Sequence, residues 1–201
     1  LVFDELLRIQ LALVLRKRAL ELTSVGIVHD PSTALMSTYW QRLPFPLTGA
    51  QQRVIGEIIA DLARPIPMHR LLQGDVGAGK TVVAMATLLT AVQGGHQGAL
   101  MAPTEVLAEQ HAAGVSRQLD GVVIPDDGGS LLGERPLGVA LLTNRTPAAE
   151  RRRVLAGLAD GSVDIVIGTH ALIQEGVVFR SLGAVVIDEQ HRFGVAQRAA
   201  L

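Results

Sequence analysis

Gly74-Asp75-Val76-Gly77-Ala78-Gly79-Lys80-Thr81 matches G-x-x-x-x-G-K-[ST] without a mismatch. The chemistry needs this order. Glycines let backbone N–H groups turn inward and surround an anion. The positive end of a following helix points at the same place. Lys80 supplies a mobile point charge for the β and γ phosphates of a nucleotide, and Thr81 a hydroxyl for Mg²⁺. A glycine turn that merely joins a strand to a helix would share this composition. From average residue usage, however, a chance match in a chain of this size arises roughly once in a hundred. The flanks agree with the functional reading. Met68–Gln73 reads as a buried strand, and Thr81–Gln93 as a helix closed by Gly94 and Gly95. Gly74, Asp75, Val76, Gly77, Ala78, Gly79, Lys80 and Thr81 are thus the candidate ATP-binding residues, with Lys80 also catalytic and Thr81 a candidate Mg²⁺ ligand.

Outward from this loop the pattern is α/β. Thr48 caps a helix to about Ala63. Gly98–Ala102 reads as a strand, and Pro103 opens a helix to about Leu119. Leu137–Leu142, Val163–Ile167 and Ala184–Ile187 are further apolar runs. Thr146 and Pro147 start a helix to Ala159, with proline at the first helical position. Such alternation predicts a mostly parallel sheet with helices on both faces. Ligands of such sheets lie beyond the carboxyl ends of the strands. Pro125–Pro136, rich in Asp and Gly, reads as an exposed, mobile insertion. At the front, Asp4–Leu22 reads as one helix, with Arg16, Lys17 and Arg18 placed late, where cations suit the helix dipole. Thr23–Pro46 reads as a linker along a domain edge. Arg151-Arg152-Arg153 and Arg16-Lys17-Arg18 read as solvated helix faces.

The 201 residues suggest one domain with an appendage. Hydrophobic residues make up 48% and aromatic ones 3%, so the core must be aliphatic. The chain has no cysteine, which excludes disulfides and thiolate metal sites, and a reducing cytoplasm is the default expectation. No apolar run approaches the roughly 20 residues that span a bilayer. The start at Leu1 lacks both a signal-peptide pattern and an initiator Met, and reads as a piece of a longer protein. The net charge of −1 gives no basic excess for phosphate neutralisation. A nucleic-acid-binding role therefore requires that other parts of a larger protein supply most of the grip.

Ala184-Val-Val-Ile-Asp188-Glu189-Gln190-His191 is an apolar strand ending in two acids. Acids are common at solvated strand ends. Downstream of a phosphate loop they have a sharper use: Asp188 helps to hold Mg²⁺, and Glu189 orients the attacking water.

The two motifs together resemble the superfamily 2 helicases, in which Asp-Glu-Gln-His is a DExH-type Walker B sequence. His191-Arg-Phe-Gly-Val-Ala-Gln-Arg198, Leu43-Pro-Phe-Pro-Leu-Thr-Gly-Ala-Gln51, Met101-Ala-Pro-Thr-Glu-Val-Leu-Ala-Glu-Gln-His111 and Gly168-Thr-His-Ala-Leu172 extend the resemblance to the RecG-type DNA helicases. Transcription-repair coupling translocases share much of this, but usually read Asp-Glu-Glu-His where this chain has Gln190. The resemblance implies a RecA-like P-loop NTPase domain over residues 47–201. Residues 1–46 would be a linker helix and extended connection from an N-terminal wedge domain. The implied cofactors are ATP and Mg²⁺. The implied partners are branched or forked DNA, with a second RecA-like lobe and the wedge domain in cis, and no membrane. A further motif is implied shortly after residue 201. The second lobe would supply arginines worth about 10³ to 10⁵ in rate in related phosphoryl-transfer enzymes. An isolated first lobe is then expected to bind nucleotide weakly and not to unwind DNA.

The same resemblance gives further residues their roles. Gln51 falls where the family reads adenine, although Thr48-x-x-Gln51 is also a capping box. Phe45 is either a neighbour of the base or a buried anchor. Pro103, Thr104 and Glu105 correspond to a DNA-contacting motif, although Thr104 is equally an ordinary N-cap. Thr143, and then Gly168, Thr169 and His170, have the same logic at later strand ends. Asn144 replaces a common glycine, and Asn tolerates positive φ. His170 is no metal candidate, since no paired His or Cys has suitable spacing. Gln190 and His191 are expected to sense the γ-phosphate, with Arg192 and Phe193 passing the signal onward. The rival from another class is a P-loop kinase or regulatory ATP-binding module. It would need an acceptor site and leaves Pro103–His111 and Gly168–Leu172 unexplained.

Overall fold

A computed structural model describes residues 2–32, 34–125 and 133–190. Four parallel strands form the sheet in the order β4-β5-β1-β6, where β1 is Gln97–Met101, β4 Val139–Leu142, β5 Ile165–Gly168 and β6 Leu182–Ile187. Strict alternation divides the core. Leu100 of β1, with Ile165 and Ile167 of β5, faces one cluster. Ala99, Met101 and Val166 face the other. Helices α2 (Ala34–Trp40), α3 (Gly49–Leu62), α4 (Lys80–Gln93) and α5 (Glu105–Leu119) contribute to the first cluster. Helix α6 (Ala148–Asp160) and the 3-10 turn at His170–Ile173 cover the second. With both faces covered, these strands read as continuous apolar runs rather than alternating ones.

Helix α4 is the centre of the larger cluster. It packs on β1 and β6 and beneath α2 and α3. Thr87 and Thr90 are buried within it, and their hydroxyls donate to the carbonyls of Val83 and Ala86 one turn back. That local bonding removes the cost of leaving a buried hydroxyl unpaired.

Several expectations need correction. Met68–Gln73 is not a strand and is not buried: Leu71 is 70% exposed, while Met68 and Leu72 pack only partly on the core. A strand needs a ladder partner, and this stretch has none among the described residues. The supposed linker contains α2, whose Leu35, Met36 and Tyr39 are buried. Burial pushes the Tyr39 phenol up to about 12, and its hydroxyl meets Gln118 Oε1 at 3.2 Å. Helix α1 (Val2–Thr23) forms as expected, but Phe3, Leu7, Leu11 and Leu15 on it are more than half exposed. It ends at Thr23, and its basic run lies before the last turn rather than in it. Pro147 sits at the N-cap of α6, one position earlier than expected.

The Pro125–Pro136 segment is anchored at its base. Strands β2 (Val123–Pro125) and β3 (Glu134–Pro136) pair antiparallel, and 126–132 lie outside the described residues. Arg135 donates to both carboxylate oxygens of the buried Asp164, at 2.7 and 2.6 Å, and to Gly161 O. Asp164 Oδ2 also accepts from Gly138 N at 2.7 Å.

The N-terminal connection is held by His29, which is 2% exposed. Its backbone N donates to Leu62 O, and its Nε2 donates to Gly183 O at the start of β6. The His96 ring lies edge-on at a centroid distance of 5.3 Å. Nδ1 of His29 is buried without a partner. Burial is the main cause that holds His29 below its usual value of 6.5, and His96 adds to the effect.

Two outcomes follow. Arg135→Ala leaves the Asp164 carboxylate buried beside one amide, and should cost about 3 kcal/mol in urea unfolding. His29 is neutral in the fold and protonates more readily in the unfolded chain. Its stabilising contribution should be complete above pH 6.5 and lost as pH falls through its lowered folded value. Urea titrations at successive pH values should show that slope shrink in His29→Gln.

Candidate nucleotide and nucleic-acid site

The phosphate loop is shaped by two left-handed glycines. Gly77 has φ of +82° and Gly79 +76°, a region that side chains rarely adopt. Gly79 is the N-cap of α4 and offers no side chain to the first-turn amides. Val82 N is taken by Gly79 O at 3.0 Å, which leaves the Lys80 and Thr81 amides and the helix dipole as donors at the open end. Lys80 Nζ donates to Gly74 O at 2.9 Å and Asp75 O at 3.0 Å. The ammonium is thus held over its own loop, with one hydrogen left to donate. Val76 and Thr81 are exposed, and Ala78 N bonds Asp75 O. This donor set fits a polyphosphate.

Gln51 is buried, and both ends of its side-chain amide are bonded within the chain. Its Oε1 accepts from Thr48 N at 2.9 Å, completing a capping box with Thr48 Oγ1. Its Nε2 donates to Ala78 O at 3.0 Å. The side chain therefore straps α3 to the phosphate loop, and the same amide fills the space where a Cβ on Gly79 would stand. Phe45 is 47% exposed and is not a buried anchor.

Topology brings the acidic pair to the same end of the sheet. Helix α4 ends at Gln93 and β1 starts at Gln97, so the helix returns antiparallel to the strand. Its N-terminus, about 21 Å back along its axis, lies at the strands' carboxyl end. Asp188 follows β6 at that end, and its N–H donates to Met101 O at 2.8 Å. Glu189, with φ of +49°, is the one non-glycine residue with positive φ among the described residues. Strain of this kind costs of order 1–3 kcal/mol and gathers at functional sites. Gln190 is exposed, and His191, Arg192 and Phe193 lie outside the described residues. No group of three or more His, Cys, Asp or Glu able to hold a metal occurs among the described residues. One carboxylate, one hydroxyl and nucleotide phosphates are nonetheless a donor set that suits Mg²⁺.

The candidate DNA-contacting residues occupy three neighbouring strand ends. Pro103, Thr104 and Glu105 follow β1, Thr143 follows β4, and Gly168, Thr169 and His170 close β5. Thr104 Oγ1 accepts from Leu107 N at 3.3 Å, as an N-cap does. Glu105 pairs with Arg145 at 2.7 Å, and that arginine side chain is 76% exposed. Asn144 Nδ2 meets His170 Nε2 at 3.0 Å, so Asn144 serves by its amide rather than by positive φ. Gln174 bonds Asn144, and Arg151 bonds Gln174, which ties one arginine of the supposedly solvated run into this edge. Thr169 Oγ1 is buried without a partner. Sequence reasoning missed Arg145, Gln174 and the bond from His111 to Asp188, because each depends on long-range contacts.

A parallel sheet that presents its carboxyl end to a polyphosphate is the architecture of a RecA-like P-loop domain. The chain belongs to the DEAD/DEAH box helicase family, which it matches over residues 48–201. It is similar to the ATP-dependent DNA helicase RecG of Synechocystis sp., 48% identical over all of this chain and 23% of that protein. The RecG of Bacillus subtilis is 46% identical over all of this chain and 27% of its own length. A solved structure of RecG bound to a three-way DNA junction superposes with a TM-score of 0.76 at 41% identity. That match covers 89% of this chain and 23% of the other. The chain thus spans about a quarter of the length of these relatives.

Gly79→Ala should both strain the left-handed turn, by about 1–2 kcal/mol, and displace the Gln51 amide. Thermal unfolding should shift down, and binding of a fluorescent ATP analogue should weaken more than stability alone accounts for.

Proposed function

We propose that the chain is the ATP-binding motor lobe of a DNA helicase that remodels stalled forks and branched recombination intermediates. The observation that carries this reading is the convergence, at one end of one sheet, of a phosphate loop, an acidic pair and three strand ends bearing polar residues. The identity to RecG proteins across the whole chain supports the same reading. In it, the amides of residues 74–81 bind the phosphates and Lys80 moves from its own loop carbonyls to the β and γ oxygens. Thr81 and Asp188 hold Mg²⁺, which when bound neutralises phosphate charge. Glu189 orients the attacking water, while Gln190 and His191 sense the γ-phosphate. Gln51 either reads adenine or keeps the loop in register with α3.

Pro103, Thr104, Glu105, Thr143, Gly168, Thr169 and His170 form the DNA-facing edge, with Arg145 as its exposed cation. Helix dipoles and backbone amides there position phosphates without reading sequence. The formal charge of −1 is consistent with a division of labour, in which a second RecA-like lobe and a wedge domain supply further grip. Residues 1–46 would lead in from that wedge domain, and 47–201 would form the lobe itself. A cytoplasmic location accompanies this role.

The test is equilibrium binding of a fluorescent ATP analogue to the chain and to Lys80→Ala. Loss of a charge-assisted contact, about 1.5–3 kcal/mol, should weaken binding roughly 10- to 100-fold. Equal binding by both, or vigorous DNA-stimulated ATP hydrolysis by the 201-residue chain alone, would contradict the reading.

A further inference from the structure

His111 lies on α5, whose N-cap is Thr104, yet its ring reaches the end of β6. Nε2 of His111 stands 3.0 Å from Oδ2 of Asp188. The two side chains are 19% and 28% exposed, so the contact is partly shielded from bulk water. Among the described residues no other side chain bonds that carboxylate. An ionised carboxylate only accepts, so the ring presents an N–H at Nε2.

Both ends of this bond are fixed. Asp188 N is held by Met101 O at 2.8 Å, which continues the β1–β6 ladder. Helix α5 is seated on β4 and β5 through Ala108, Ala112, Val115 and Leu119. The remaining freedom of Asp188 is rotation of its side chain, and His111 restricts that rotation. One oxygen, Oδ1, is left for a cation or its water shell.

We propose that His111 is a positioning residue for Asp188, setting the carboxylate for Mg²⁺-nucleotide; this rests on the phosphate-loop reading above. Carboxylates that bind metals are themselves hydrogen-bonded, and loss of such a partner costs about 10- to 100-fold in metal affinity. The same helix starts at the strand end that carries Thr104 and Glu105. A single rigid element therefore connects the proposed DNA-facing edge to the metal-binding carboxylate.

The experiment measures binding of a fluorescent ATP analogue to the 201-residue chain across a Mg²⁺ titration. His111→Ala should need about tenfold more Mg²⁺ or higher for half-maximal effect. His111→Gln places an amide nitrogen where Nε2 stands and should restore the unmutated Mg²⁺ dependence. His111→Asn is too short and should not. Thermal unfolding of each variant reports whether it is folded. An unchanged Mg²⁺ dependence in His111→Ala, or equal impairment of the Ala and Gln variants, overturns the proposal while leaving the phosphate loop intact. Absence of Mg²⁺-dependent binding by the unmutated chain, with no effect of Lys80→Ala, overturns the phosphate-loop reading and this proposal with it.

Discussion

Helix α4 is buried from Val82 to Val92 except at Ala84, and that burial governs the site. Each buried aliphatic side chain contributes about 1.5–3 kcal/mol relative to exposure, so the helix cannot shift without losing much of the core. Its N-terminus is therefore a fixed point at the carboxyl end of the sheet. The glycine loop is tied to that point through Gly79, and to α3 through the Gln51 amide on Ala78 O. A loop in which every other residue or so is glycine can thus hold a defined shape. What it offers a ligand is backbone N–H groups and one lysine, with the desolvation of the helix beneath already complete.

The second set of constraints comes from the parallel ladder. Parallel pairing of β4, β5, β1 and β6, with one register shift between Gln97 and Gly98, brings four strand ends to one edge, within a few strand spacings of about 4.8 Å each. Polar residues distant in sequence become neighbours there: Glu105 with Arg145, Asn144 with His170, and His111 with Asp188. The opposite end of the sheet does different work. His29, Gly183 and His96 dock the N-terminal connection there, and Gln97 bonds the carbonyls of Leu158 and Val163 and the amide of Ser181. Structural polar groups at that end are mostly satisfied within the chain, whereas the end that carries the candidate site leaves the Lys80 and Thr81 amides as donors.

Features set by local chemistry were legible in the sequence. Thr48 and Thr104 cap helices because their hydroxyls meet amides three residues on, and the glycine loop is legible because Gly77 and Gly79 take the left-handed backbone that its tight turn requires. Features that need a partner were not. Met68–Gln73 has the composition of a strand, but a strand exists only with a neighbour, and none pairs with it among the described residues. Helix α2 was hidden in a stretch bearing prolines; its Leu35, Met36 and Tyr39 are spaced for one buried face, but seven residues are too few to stand out. Gly128, Gly129 and neighbouring acids made Pro125–Pro136 look loose throughout, whereas Arg135 anchors its base to Asp164. At the candidate site, the residues singled out from the sequence gather at one end of the sheet, but their mutual bonds were not readable. Nothing in a linear pattern links His111 to an aspartate 77 positions away.

The most direct measurement is a crystal structure of the chain with Mg²⁺ and a non-hydrolysable ATP analogue. The account predicts the triphosphate enclosed by the backbone amides of residues 74–81, with the metal shared between the Thr81 hydroxyl and Asp188, directly or through water. A nucleotide seated on another face, or a metal remote from both residues, would contradict it.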